Sequence, residues 1–569
     1  MADFRAIFGE DDSETEEFLG FDLDDIKEAE EKYVRQLNVL DDLDSDIEFS
    51  EMGSSDEEEI DSDDDTVLAD IAKWSDHLRP IQIAEFTGPK PGPTTVMENN
   101  KRELDFFNLL FPEALVIEIA TQTNEYAQKQ FEAAPNKNWY PTNAEEIKAL
   151  IGVQIVMGVL PAPAQNMYWF KDKLFHPSCI EMKFSRTRYE NLMKYFHVAD
   201  TSRNPPRGAP GHDKLAHVRP MLEQIRTTCM NEYNPHREVS IDEAMIGFSG
   251  RLGFKQYVPL KPTKRGIKVW VRADPHNGYV GDFQVYTGRT DNTPEINLGG
   301  RVVLDLMQPL LDLGYHVYTD SFFTSPDLFL QLRKRSTLGC GTVRSNRKGL
   351  PTGLDKLKMK DQGQSTIKQK GDMRITVWRD KKNISILSTN CDGDATSVGR
   401  KQKDGSIKEV PCPLPVKLYN MYMNGVDHAD QLRSTYNTAR KSLKWWKYLF
   451  FFLLDVSIVN AYLLMRESEN HKLSTKNNKE KQRTQIEFRM NLAHQLLGGF
   501  TGKRKRTPDI QPPAQLQQHW LVVMPKRTCK MCSLQKIRTE PRTGCEQCEI
   551  NLCIKCFKPY HRQKYPELF

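Results

Sequence analysis

Val239-Ser-Ile-Asp-Glu-Ala-Met-Ile-Gly-Phe-Ser-Gly-Arg251 places one carboxylate, Asp242, at the end of a short apolar run, with a glycine-rich, basic turn after it. By the two-residue period of a strand, Val239 and Ile241 share one half-buried face and Asp242 points to the other. Beyond it Gly247, Gly250 and Gly253 loosen the chain. An Asp at the end of a strand beside a flexible loop is a metal-ligand position, and equally a solvated turn residue; its partners decide between the two.

The partners follow in order. Ile267-Lys-Val-Trp-Val-Arg272 and Tyr279-Val-Gly-Asp-Phe-Gln-Val-Tyr286 flank Asp274-Pro-His-Asn-Gly278, the pattern of a hairpin. A helix is predicted over 302–313, closed by Gly314. Tyr315-His-Val-Tyr-Thr-Asp320 then delivers a second strand-end carboxylate, on the face opposite Tyr315, Val317 and Thr319. Ser325-Pro326 opens a helix through Lys334, and 338–343 reads as another strand. Strand, hairpin, helix, strand, helix, strand is the element order of a ribonuclease-H-like core, an α/β fold whose first and fourth strands lie side by side. Asp242 and Asp320 then reach shared cations. Hard Mg2+ or Mn2+ prefers carboxylate oxygens, and two such ions activate one oxygen and stabilise another during in-line attack on phosphate. A third acid is expected after residues 346–417, which read as a β-rich insertion with strand-like pieces at 374–378 and 384–387. There Asn424-Gly-Val-Asp-His-Ala-Asp-Gln431 opens a helix with Asp427 and Asp430 on one face.

Ile241-Asp-Glu with Gly247-Phe-Ser-Gly-Arg251, Lys261-Pro262, Gly266-Ile-Lys268, Thr319-Asp-Ser-Phe-Phe-Thr-Ser325, Gly341-Thr-Val-Arg-Ser-Asn346 and Gly425-Val-Asp-His-Ala-Asp-Gln431, in this order, closely resemble the piggyBac transposase family. The resemblance runs from about residue 100 to the C-terminus. It implies a homodimeric DDD transposase that cuts DNA at element ends, closes them as hairpins and inserts at TTAA. Asp242, Asp320 and Asp427 match its catalytic triad, and Asp430 matches a family acid that is either ligand or support. A domesticated, non-cutting DNA-binding protein on the same scaffold is the alternative. A generic metal-dependent nuclease is a third reading, disfavoured by the insertion and by the C-terminal cysteines.

The implied architecture is an acidic disordered region and linker (1–95), a helical dimerisation and DNA-binding domain in two parts (96–236 and 441–500), a catalytic core in two parts (237–345 and 418–440), the insertion (346–417), a basic linker (501–526) and a zinc-binding region (527–569). Residues 1–70 hold 28 of the 77 acidic residues and 4 of the 79 basic ones, which leaves 75 basic against 49 acidic in the rest. So acidic a segment buries too little apolar surface to order itself. It serves solubility, or it competes with nucleic acid for the basic body. It reads as no secretory leader. In 96–236, Leu104, Phe107, Phe111, Leu115 and Ile119 recur at helical spacing with a break at Pro112. Thr142 and Glu145 read as a capping box, Ser185 caps a third helix, and Leu215, Val218, Leu222 and Ile225 mark a fourth. The apolar run 445–465 carries Lys447, Asp455 and Asn460, so a buried core helix is expected rather than a membrane span.

A polyphosphate partner, DNA, is expected from charge. Arg251, Lys255, Lys261, Lys264, Arg265 and Lys268 crowd the loop after Asp242, interleaved with Phe254 and Tyr257, a pattern that suits a gripped strand. The resemblance adds Arg344 and Arg347 for target DNA. Lys441 and Lys444 precede Trp445 and Trp446, one of which stacks on an unpaired base, the resemblance favouring Trp445, while core packing is the alternative for either. Lys503-Arg-Lys-Arg506 reads as a nuclear localisation signal or a DNA-backbone contact.

Cys179, Cys229, Cys340, Cys391 and Cys412 show no pairing pattern, whereas Cys529-x-x-Cys532, Cys545-x-x-Cys548 and Cys553-x-x-Cys556, followed by His561, carry structural-zinc spacing. In a cross-brace the first and third pairs hold one Zn2+, and the second pair with His561 and one further donor holds another. His519 in Gln518-His-Trp-Leu521 is the upstream candidate for that donor, with Glu567 and Tyr565 weak alternatives; a single-zinc finger or a water-completed site is a further option.

Overall fold

The computed structural model describes residues 73–564 except 134, 171–179, 181–182, 260, 262, 289–294, 402–405, 472, 475–479, 482, 501–518 and 520. The acidic segment, Cys179, the basic run 503–506, Tyr565 and Glu567 lie outside the described residues.

Helices α1 (Glu103–Leu110) and α2 (Glu113–Ala133) part at Pro112, whose ring denies the ladder an N–H. Helix α3 (Ala144–Val159) is capped by Asn143, which accepts from the Glu146 N–H. The cap is therefore one residue later than the expected Thr142, and no reciprocal box closes there. Arg188 draws Glu146 into a buried ion pair, and the Thr142 hydroxyl donates to Glu146 instead. Ser185 caps α4 (Arg186–Tyr195) as expected. Leu215 and Val218 sit buried before α5 (Arg219–Asn231), which starts late, at Pro220 in its first turn.

The core follows with β1 (Glu238–Gly247), β2 (Arg265–Ala273), β3 (Val280–Val285), α6 (Leu298–Met307), β4 (His316–Thr319), α7 (Pro326–Lys334) and β5 (Leu338–Thr342). Helix α6 begins and ends earlier than the 302–313 reading. Pro309 ends its regular ladder, and Gly314, at φ +77, turns the chain into β4. β1 pairs antiparallel with β2 and parallel with β4, and β4 pairs parallel with β5, so the order β3-β2-β1-β4-β5 is ribonuclease-H-like.

Residues 346–417 are β-rich, as read, but they do not stand apart from this sheet. β6 (Ser365–Lys370), β7 (Met373–Arg379) and β8 (Asn383–Ser388) form a meander whose β8 pairs antiparallel with β5, extending the core sheet at its far edge. Only β9 (Ala395–Lys401) and β10 (Ile407–Pro413) make a separate hairpin. Helices α8 (Leu414–Tyr422), α9 (Gly425–Thr435), α10 (Trp445–Glu467) and α11 (Gln485–Leu497) complete the body. α10 is long and apolar enough to cross a membrane, yet 94% of its apolar window is buried, so it is the core helix expected. Its Phe452 and Val456 share one cluster with Ala244, Ile246, Val269 and Val271 of the sheet and with α1, α3 and α11. Helices from both sides of the core thus form one layer over the sheet face that carries Asp242. The other face packs Val239, Ile241 and Trp270 on α6 and α7.

Candidate metal and nucleic-acid site

Asp242 does point away from Val239 and Ile241, but it lies mid-strand rather than at a strand end. β2 pairs β1 through Gly247↔Gly266, whereas β4 leaves it after Ile241↔Thr319. The open edge begins at Asp242, and Asp320 is the first residue past β4. Carboxylate oxygens of Asp242, Glu243 and Asp320 lie within 4.8 Å of one another. Glu243 is a site residue that the motif spacing does not mark; its one signal in the sequence is a second acid inside an apolar run. It is 2% exposed, and its Oε2 has no hydrogen-bond partner among the described residues.

The electrostatics match a cation seat. Burial and then the Asp242 charge push Glu243 up to about 8, and the same two causes push Asp320 up to about 6. Lys261 approaches from the loop, its Nζ 3.3 Å from Asp242 and 3.9 Å from Glu243. Burial works to lower its pKa, but Asp242, Glu243 and Asp427 hold it above the ordinary lysine value. Asp320 accepts the Phe322 N–H at 2.9 Å.

Asp427, expected as the third ligand, lies outside this cluster, on the exposed side of α9. The helix seat explains it: a Cβ built on Gly425 would stand 2.3 Å from Ser240 Oγ, so α9 rests its glycine start on β1, while Val426 and Ala429 turn inward. Asp430 pairs with Arg433 at 3.0 Å, and that guanidinium covers Phe452.

The basic candidates divide. Arg251, Lys264, Arg265, Arg344 and Lys441 are exposed. Lys255 turns back to the Gly250 carbonyl at 2.8 Å, and Arg347 donates to the carbonyls of Ser321 and Phe322, clamping the loop behind Asp320. The Lys268 ammonium lies over the Phe322 ring at 4.6 Å and Lys444 over Tyr126 at 4.7 Å. Trp446 is buried, stacked with His217, whereas Trp445 is half-buried and meets Phe254 edge-on, so the two tryptophans separate into one core residue and one partly open ring.

At the C-terminus the described residues gather Cys529, Cys532, Cys553 and Cys556 in one group and His519, Cys545, Cys548 and His561 in the other, the cross-brace pattern. β11 (Leu521–Val523) pairs with β12 (Thr543–Cys545) through Leu521↔Cys545, which carries His519 to 3.3 Å from both Cys545 Sγ and Cys548 Sγ. His561 holds the Phe557 carbonyl through Nδ1, leaving Nε2 3.6 Å from Cys548 Sγ. All four donors are soft or borderline and suit tetrahedral Zn2+. A fourth cluster, which no sequence motif announces, joins His236 and His276 on buried Asp274 and clasps the β2–β3 turn.

The profile of the family described as Transposase IS4 matches residues 102–462. Human PiggyBac transposable element-derived protein 2 is 27% identical over 504 residues, 85% of this chain and 80% of its own length. Human PiggyBac transposable element-derived protein 5 is 26% identical over 448 residues, 75% and 81% of the two chains. Among solved structures, the piggyBac transposase of a synaptic complex with hairpin DNA covers 82% of this chain and 100% of its own, at TM-score 0.64 and 25% identity.

Proposed function

Because this chain belongs to the piggyBac family of transposases, we propose that it binds element terminal repeats, cuts DNA there by metal-dependent phosphoryl transfer with hairpin ends, and inserts the element at TTAA. The observation that carries the reading is the gathering of Asp242, Glu243 and Asp320 around the Lys261 ammonium. Three acids within 4.8 Å, one with an unpartnered buried oxygen, repel one another unless a cation joins them. The donor set is all oxygen and fits Mg2+ or Mn2+. Asp242, Asp320 and Glu243 would hold the ion, and Asp427, whose charge acts on Lys261 from α9, would be the further ligand. When bound, the metal supplies Lewis acidity to the attacking and leaving oxygens.

The chain's own groups do the rest. Lys261 and Lys268 draw the phosphate toward the carboxylates, and the exposed Arg251, Lys264, Arg344 and Lys441 hold flanking backbone. Trp445 offers a ring to an unpaired base. Two Zn2+ ions shape the C-terminal finger that reads the repeats. The protein acts as a homodimer in the nucleus, where the run 503–506 directs it.

The test uses duplexes taken from the flanks of the coding sequence, where inverted repeats bounded by TTAA are sought, with the full-length protein and Mg2+ or Mn2+. Cleavage by the parent chain, lost in Asp242→Asn, Asp320→Asn and Asp427→Asn while repeat binding persists, is the expected result. Repeat binding without cleavage by the parent protein would establish the non-cutting DNA-binding alternative instead.

A further inference from the structure

Arg272 pairs with Ile241 across β1 and β2, so its side chain lies on the sheet face opposite Asp242 and takes no part in the site above. It is 3% exposed, and its Nε–H has no acceptor among the described residues. Tyr315, fully buried immediately before β4, likewise has a hydroxyl with no partner among the described residues. Both residues line one cavity of about 150 Å3, bounded also by Pro89, Asp274, Tyr279 and Gly281. That space admits several waters, and so a small ion with part of its shell.

The nearby carboxylates are committed elsewhere. Asp282 holds Arg226 at 2.5 Å and its neighbour's N–H at 2.7 Å. Asp274 accepts two backbone N–H groups and both rings of His236 and His276. Asp282 and Asp274 attract the Arg272 charge at a distance but leave its donors unmet, and burial works against the charge. A buried guanidinium with open donors is costly, and water satisfies donors without neutralising charge. An oxyanion does both, and the phenol of Tyr315 supplies a further donor. Gly281 leaves the room: a Cβ built there would lie 3.4 Å from Arg272 Nη2.

We propose that Arg272 and Tyr315 form a binding site for a small tetrahedral oxyanion, inorganic phosphate or sulfate, on the back of the core sheet. Phe86 meets Tyr315 edge-on at 4.9 Å and Pro89 walls the cavity, so the anion also pins the linker that leads from the N-terminal segment. The proposal is independent of DNA cleavage.

The test is thermal unfolding of the full-length chain in sodium phosphate or sulfate against chloride at equal ionic strength. Saturable stabilisation by the oxyanions is expected, on top of the non-saturating effect such salts have on any fold. Arg272→Met should abolish the saturable part, and Tyr315→Phe should raise the half-saturating concentration roughly tenfold, as expected for one lost hydrogen bond to a charged partner. No saturable component in the parent chain, or the same component in Arg272→Met, overturns the proposal. If Arg272→Met does not fold, an unchanged half-saturation in Tyr315→Phe overturns it alone.

Discussion

Lys261 Nζ stands 3.3 Å from Asp242 Oδ2, so a loop ammonium is the counter-charge of the acid cluster where a divalent ion would otherwise sit. The pair is partly buried, at 24% and 10% side-chain exposure, and its loss leaves like charges facing one another. Lys261→Met is expected to lower metal-free stability at pH 8 by about 1–2 kcal/mol, after discounting for the partial exposure. Mn2+ should restore more stability to the variant than it adds to the parent chain. Urea unfolding with and without Mn2+ reads both effects, and equal Mn2+ stabilisation in the two proteins would contradict the arrangement.

Glu243 titrates against the fold. Its pKa is raised from the ordinary glutamate value to about 8, so between roughly pH 4.5 and 8 the native state holds a proton that the unfolded chain has lost. Stability therefore falls as pH rises through that window. Asp320 contributes with the same sign only up to about pH 6. Without divalent metal, Glu243→Gln should show a flatter stability profile than the parent chain, with the difference between pH 6 and 8 belonging to Glu243. Parallel profiles across that interval would exclude Glu243 from the cluster.

Gly341 seats β5 against the turn that carries Asp320. A Cβ built there would stand 2.2 Å from Thr324 Oγ1 and 2.5 Å from the Thr319 carbonyl. Gly341→Ala is expected to cost about 2–3 kcal/mol through overpacking and to weaken Mn2+ binding by shifting Asp320. Gly353→Ala serves as the comparison, since that glycine has φ +83 and open space around it, and its substitution carries only backbone strain. A stable Gly341→Ala protein with parent-like Mn2+ affinity would refute the tight seat.

His519 lies 3.3 Å from both sulfurs of the Cys545 and Cys548 pair, the geometry of a zinc ligand held by a strand pairing. Metal analysis of the full chain should give two zincs per molecule. His519→Ala should drop the count to one or loosen one ion markedly, and Cys532→Ser should affect the other ion. Two tightly held zincs in His519→Ala would remove His519 from the set.

Sequence alone determined whatever short-range geometry encodes. The side of β1 that Asp242 faces, the Ser185 and Ser325 caps, the burial of α10 and the two-donor bite of each Cys-x-x-Cys pair follow from strand and helix periods or from two-residue spacing, which hold wherever the chain is placed, whereas which pairs share a group is set by the fold. Tertiary structure decided what depends on pairings between distant segments. β1 continues past Asp242 because β2 stays paired while β4 departs, and that departure brings Glu243 into the cluster. The packing of Gly425 on Ser240 sets Asp427 at an exposed position of α9, outside the 4.8 Å cluster but near enough for its charge to act on Lys261, although its spacing with Asp430 is legible in the sequence. The insertion strands join the core sheet through β5 and β8, a register no local pattern specifies. Arg272 in turn reads as one more basic residue on a hairpin until the commitments of Asp274 and Asp282 leave its donors unmet inside the fold.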